Sequence, residues 1–301
     1  AHGAQLLEKP VNEFKPGFVY DMPAEQYHAI DAVSASGLRV FSRSPWHYRN
    51  RVPVTPTKPM LRGTLAHCAV LEPGAMESRY VVVPADAPRR PTKAQWEAKK
   101  PSETSMAAMD WWLTFQKHAG ERQIVSAEDF EITQMQLRAI AQQPELSDML
   151  SVGHGEVSIF WIDPGTGLPC KARPDWVNGD QLLDLKSTAD ESPSGFGRAA
   201  ARMKYHLQAA HYSEGFEILT GFKDTSFTFA AVTNTPPVLA VPYRLTDEIQ
   251  AQAYDERREL LERFAWCMRE GEWPAYGQGV QLLDFPAYAK RSNELEVSFV
   301  D

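Results

Sequence analysis

The segment from Lys171 to Lys186 reads KARPDWVNGDQLLDLK, and its chemistry-bearing residues are Asp175, Asp184 and Lys186. Asn178-Gly179 is a strong hairpin signal. With those two residues as the turn, Val177 faces Asp180 and Asp175 faces Leu182. Side chains alternate along a strand, so Leu182, Asp184 and Lys186 share the face of Asp175. The two carboxylates become diagonal neighbours, roughly 7–8 Å apart at Cα. Pro174 removes one ladder hydrogen bond and predicts a kink beside Asp175. Two acids aimed at one point repel each other unless a cation sits between them. Lys186 supplies part of that charge, and a divalent metal would supply more. Carboxylate oxygens on a hairpin suit Mg²⁺ or Mn²⁺, which prefer oxygen ligands and keep some of their waters. The backbone carbonyl of Leu185 offers a further oxygen. The plain alternative is a surface ion pair between Asp184 and Lys186, which is what an isolated Asp-x-Lys usually means.

Other candidates lie outside this hairpin. Glu156 opens a β-patterned run, Glu-Val-Ser-Ile-Phe-Trp-Ile, ending at Ile162. His67 follows Gly63-Thr64 on an earlier helix, where a single histidine is ordinarily a core or capping residue. Gln208 and Tyr212 stand four apart on a long helix and share one face. The chain has no GxSxG elbow, no HExxH and no P-loop. A covalent serine route, a zincin site and an ATP motor are therefore not indicated.

The elements that must position these residues follow from periodicity and punctuation. Ser34 or Ser36 can cap a helix running through Leu38 and Phe41 to Pro45. A short helix fits Trp46–Asn50. Pro53, Pro56 and Pro59 keep 51–59 irregular. Gly63 opens a helix through Leu71, and Tyr80–Val83 is a strand. From Thr92 to Leu150 the pattern is helical, as an insertion within one domain spanning 1–301. The period then switches from 3.6 to 2. Strands fit 156–162, 168–177 and 181–186 as a meander, then a helix at 196–219, strands at 226–232 and 238–243, and a last helix from Thr246 through Met268.

The 301 residues are 43% hydrophobic and include 8 Trp, 10 Tyr and 14 Phe, enough for a sizeable core and against wholesale disorder. No apolar run reaches the ~18 residues of a bilayer span, and the start does not resemble a signal peptide. A soluble, cytoplasmic protein with no membrane association is the expectation. Cys68, Cys170 and Cys267 are too few and too scattered for a disulfide framework or a clustered metal site. The net charge of −8 argues against generic nucleic-acid coating, yet no acid occurs between Asp31 and Glu72. That stretch holds Arg39, Arg43, Arg49, Arg51, Lys58 and Arg62, which can grip phosphates locally or form a solvated face.

Taken together, Gly-Thr-Leu-Ala-His67, Glu156, Arg-Pro-Asp175, Asp184-Leu-Lys186 and Gln208-Ala-Ala-His-Tyr212 resemble, in order, the motifs of the PD-(D/E)xK nuclease superfamily. More narrowly, 27–222 resembles the RecE-like (exodeoxyribonuclease VIII) C-terminal nuclease domain, including its N-terminal helix motif at Ser34-Ala-Ser36-Gly-Leu38. The resemblance implies an α/β (α+β) restriction-endonuclease-like core, αβββαβ, with additional helices. It implies His67, Asp175, Asp184 and the Leu185 carbonyl as metal ligands, with Glu156 holding the metal directly or through water. It gives Lys186 the attacking water, to orient or deprotonate, and has Gln208 and Tyr212 position the helix face or contact DNA. Arg39, Arg43 and Arg62 of the basic segment could then hold the DNA backbone or a terminal 5′-phosphate. Mg²⁺ is the implied cofactor, with Mn²⁺ able to substitute. The iron–sulfur branch of the superfamily needs four cysteines and is excluded, and no ATP is required. The implied activity is 5′-to-3′ digestion of double-stranded DNA ends to 5′-mononucleotides, in phage-type recombination. The implied partners are a ring-shaped homo-oligomer and a single-strand annealing protein. The alternatives are a structure-specific or single-strand endonuclease, or a DNA-binding subunit without catalysis.

Overall fold

The structure is a computed structural model and describes residues 14–52, 55–277 and 279–284. Two sheets share the main core. A five-stranded sheet has the order Ala240–Tyr243, Ser226–Thr233, Gln181–Thr188, Trp176–Asn178, His154–Gly155. A four-stranded sheet has the order Gly17–Val19, Ser158–Ile162, Pro169–Ala172, Val33–Ser34. The central strand Gln181–Thr188 runs parallel to Ser226–Thr233 and antiparallel to Trp176–Asn178.

The central strand is covered on both faces, and its alternation shows it. Leu182 packs with Leu207 and Phe216 of helix Tyr205–Thr220 and Leu261 and Phe264 of helix Asp247–Glu270. Leu183 and Leu185 point the other way, against Ile140, Leu146 and Met149. Asp184 shares the side of Leu182, so an acid is carried to the buried side of the sheet. Helix Tyr205–Thr220 lies close enough to the four-stranded sheet that a Cβ on Gly215 would stand 2.6 Å from the Trp161 ring.

Several sequence expectations change. The meander does not exist as such: the expected second strand breaks at Pro174, and its halves, Pro169–Ala172 and Trp176–Asn178, join different sheets. Glu156 does not open a strand but sits in the left-handed region at φ 53°, between His154–Gly155 and Ser158–Ile162. The turn is also displaced. Asn178 pairs with Gln181, so Gly179-Asp180 forms the loop, with Gly179 at φ 58°. The Asn178 amide is held by the Met149 carbonyl at 3.1 Å, which keeps this residue in the strand. The helix bearing His67 starts at Lys58 rather than Gly63, because Pro59 falls in the first turn, where its missing N–H costs no hydrogen bond. The long helix is two helices, Pro193–Met203 and Tyr205–Thr220, broken where Lys204 turns left-handed at φ 52°. A strand, Gln123–Val125, lies inside the expected all-helical insertion and pairs in parallel with Tyr80–Val82. Ser34 does cap helix Ala35–Arg43, accepting from the Gly37 N–H at 3.2 Å. Among the described residues no helix is long and apolar enough to cross a membrane.

Candidate metal centre and phosphate cavity

The register brings the two aspartates closer than the sequence suggests. With Trp176 opposite Leu183, the same ladder extended by one pair sets Asp175 opposite Asp184. The loop shift moves each strand by one residue, an even change in pairing, so the two side chains stay on one face.

The three-residue strand Trp176–Asn178 leaves the edge of the central strand unpaired beyond Leu183. Side chains occupy that edge. The Leu185 N–H donates to Asp175 Oδ2 at 2.6 Å, and the Leu185 carbonyl lies 3.0 Å from His67 Nε2. The other imidazole nitrogen, Nδ1, is 3.5 Å from Asp175 Oδ2. The Asp175 carbonyl in turn accepts the Glu156 N–H at 3.0 Å, which ties the left-handed residue to the hairpin. His67, Glu156 and Asp175 each present a ligand atom within 4.8 Å of the others.

Asp184 flanks this cluster. Its Oδ1 accepts from the Gln208 amide at 2.5 Å. Its Oδ2 is buried and forms an ion pair with the Lys186 ammonium, but no aligned hydrogen bond reaches it. Lys186 also lies 4.7 Å from the Tyr205 ring centroid. Glu156 is held by the Arg173 guanidinium at 2.6 Å.

Three acids, Asp175, Asp184 and Glu156, lie here against His67, Lys186 and Arg173. Burial, followed by the charge of Asp184, pushes the Asp175 carboxyl up to about 7. Burial pulls His67 down, but Asp175, Asp184 and Glu156 together outweigh it and raise its pKa. Lys186 behaves likewise: desolvation lowers it, Asp184 and Asp175 more than compensate, and it stays an ammonium. A hard divalent cation suits this donor set of two or three carboxylates, one imidazole and a carbonyl. The ionisation of Asp175, opposed by burial and by Asp184, is what such an ion would relieve.

Beside the centre opens a cavity of about 590 Å³. Ser34, Ser36 and Gly37 at the start of helix Ala35–Arg43 line it, with Arg39, Arg51 and Arg173. Glu156 and Tyr212 line it too, so it is contiguous with the acidic cluster. One wall is fixed by Lys171, which is buried and donates to the carbonyls of Tyr27 at 2.9 Å and Ile30 at 2.6 Å.

Arg39 and Tyr212 line this cavity, and Arg43 does not. Arg62 is paired with Asp129 and Gln208 with Asp184. Arg198 and Lys204 are likewise paired, with Asp190 and Glu256. Arg173 was not singled out from the sequence. Its position two residues before Asp175 was the available signal, hidden by the Pro174 kink.

Residues 34–285 match the profile of a PDDEXK-like domain of unknown function (DUF3799). A solved structure from Eubacterium rectale, provisionally described as an exonuclease, is similar at a TM-score of 0.54 and 14% identity. The similarity covers 89% of this chain and 96% of that one. No curated protein matches by sequence.

Proposed function

Because the chain belongs to the PDDEXK-like domain family DUF3799, we propose that it is a divalent-metal-dependent exonuclease of the RecE-like kind. It would act on double-stranded DNA ends from the 5′ side and release 5′-mononucleotides. The observation that carries this reading is the adjacency of the acidic cluster His67, Glu156 and Asp175 to a cavity lined by Arg39, Arg51 and Arg173. Carboxylates alone would repel a phosphodiester. A cationic cavity that shares Glu156 with the cluster gives a terminal phosphate somewhere to sit.

His67, Asp175, Asp184 and the Leu185 carbonyl would hold Mg²⁺, or Mn²⁺ in its place, with Glu156 beside them. The bound ion supplies Lewis acidity and an acidified water. The remaining work belongs to the chain. Gln208 fixes the Asp184 carboxylate through its amide. Arg173 orients Glu156. Lys186, held as an ammonium, offsets charge building on the phosphoryl oxygens and orients the attacking water, rather than abstracting its proton. Ser34, Ser36 and Arg39 would receive the 5′-phosphate at the start of a helix, where backbone N–H groups favour an anion. A ring-shaped homo-oligomer and a single-strand annealing partner, in phage-type recombination in the cytoplasm, fit this activity.

The test is a time course on end-labelled linear duplex with Mg²⁺, comparing 5′-phosphate with 5′-hydroxyl ends and including a closed circle. Mononucleotide release from linear DNA, faster from phosphorylated ends and absent from the circle, is expected. Asp184→Ala and Lys186→Ala should each abolish it without unfolding the chain. Cutting of the circle would point to an endonuclease on the same core.

A further inference from the structure

The strands Tyr80–Val82 and Gln123–Val125 bracket an insertion that the proposed reaction does not use. Its first part is cationic. Arg89, Arg90, Lys93, Lys99 and Lys100 fall between 89 and 100, against the single acid Glu97, in a chain of net charge −8. All five cations are exposed. Glu97 is engaged by Lys93 at 3.7 Å. Among the described residues, Arg89, Lys99 and Lys100 have no acidic partner.

The segment is anchored. The Trp112 indole donates to the Pro88 carbonyl at 2.9 Å, and Arg90 stacks 5.3 Å from the Trp112 ring centroid. Thr92 and Gln95 form a capping box, and the Gln95 amide reaches Ser105 Oγ at 3.2 Å. Between this segment and helix Glu103–Ala119 lies a cleft of about 430 Å³, whose lining includes Arg89, Arg90, Gln95, Thr104 and Trp111. Trp96, next to Gln95, leaves 39% of its surface in water.

Exposed cations without an acidic partner attract phosphate. The exposed Trp96 indole, and the half-buried Trp111 indole stacked on Phe115, add something a duplex cannot use, since its base faces are stacked away. An unpaired strand offers both a phosphate and a free base face, and stacking on tryptophan is tolerant of sequence. We propose that this cleft binds single-stranded DNA, with phosphates against Arg89 and Arg90 and a base against Trp111, and with Trp96, outside the cleft lining, as a second stacking surface. The nuclease reading supplies only the origin of the strand, namely the 3′ overhang left by 5′ digestion. The binding chemistry stands without it.

The experiment is fluorescence anisotropy with the full chain in EDTA, so that nothing is cut, using labelled oligo-dT of 20 nucleotides and a 20-base-pair blunt duplex. The variants are Arg89→Glu/Arg90→Glu, Lys99→Glu/Lys100→Glu and Trp96→Ala/Trp111→Ala, each checked for folding by circular dichroism. Each charge reversal is expected to weaken oligo-dT binding about tenfold or more and to lower the salt slope by about 1–2. The tryptophan pair is expected to cost about 5- to 100-fold on oligo-dT and to leave the duplex within twofold. Should the tryptophan pair misfold, Trp96→Ala alone carries the same expectation at the lower end. Unchanged oligo-dT affinity in the folded variants, or equal loss on both DNAs, overturns the proposal. Oligo-dT effects as expected in a wild-type protein that digests nothing would reject the nuclease reading and keep this one.

Discussion

The Asp175 carboxyl provides the sharpest test of the metal centre, because its cost can be measured with no metal and no DNA. In the fold it titrates near 7, against 3.8 for a free aspartate, since it is buried and faces Asp184. The protonated carboxyl therefore stabilises the metal-free fold. That stability is complete below about pH 4 and is lost as pH rises through 7. Between pH 5 and pH 8 the loss is about two pKa units, or about 3 kcal/mol. Asp175→Asn removes the ionisation while keeping an oxygen to accept the Leu185 N–H. In EDTA the variant's stability advantage over the wild type should be larger at pH 8 than at pH 5 by about 3 kcal/mol. For a chain of this size that is a difference of roughly 5 °C in the Tm gain, read by thermal unfolding in circular dichroism. Mn²⁺ should narrow the gap at pH 8 by stabilising only the wild type. A stability difference equal at both pH values would refute the claim that the hairpin stores a carboxylate at a cost.

Three further outcomes are expected. His67→Ala should weaken Mn²⁺ binding about tenfold or more in calorimetric titration while leaving duplex affinity in EDTA nearly unchanged. Arg39→Ala should remove most of the preference for 5′-phosphorylated over 5′-hydroxyl ends, lowering the rate on the former about tenfold, as measured by initial mononucleotide release. Gly215→Ala should destabilise the fold by about 1–3 kcal/mol in urea titration, because the added methyl must displace the Trp161 ring.

The sequence made the convergence of Asp175, Asp184 and Lys186 legible for a reason that survives a wrong turn. Face assignment depends only on parity, and sliding the loop from Asn178-Gly179 to Gly179-Asp180 leaves parity intact. What stayed hidden depends on tertiary contact. Asn178 is kept in the ladder by Met149, far away in sequence. Glu156 reaches the cluster only through a left-handed residue whose N–H is caught by Asp175. A strand pattern followed by a turn signal reports that a strand forms, not which sheet will take it, so the division at Pro174 between two sheets could not be seen. The neutralisation of Arg62 by Asp129 is likewise a long-range pairing that the absence of local acids cannot reveal.

The short strand at Trp176–Asn178 has a consequence for solubility. A central strand that outruns its neighbour exposes donors and acceptors able to template a strand from another molecule. Here the ladder-free main chain of Leu185, itself buried, is met by the Asp175 carboxyl on its N–H and the His67 imidazole on its carbonyl. The groups that the proposed function assigns to a cation would then also close the strand edge to a second molecule. On that reading Asp175 and His67 would serve both the chemistry and the protection of the edge.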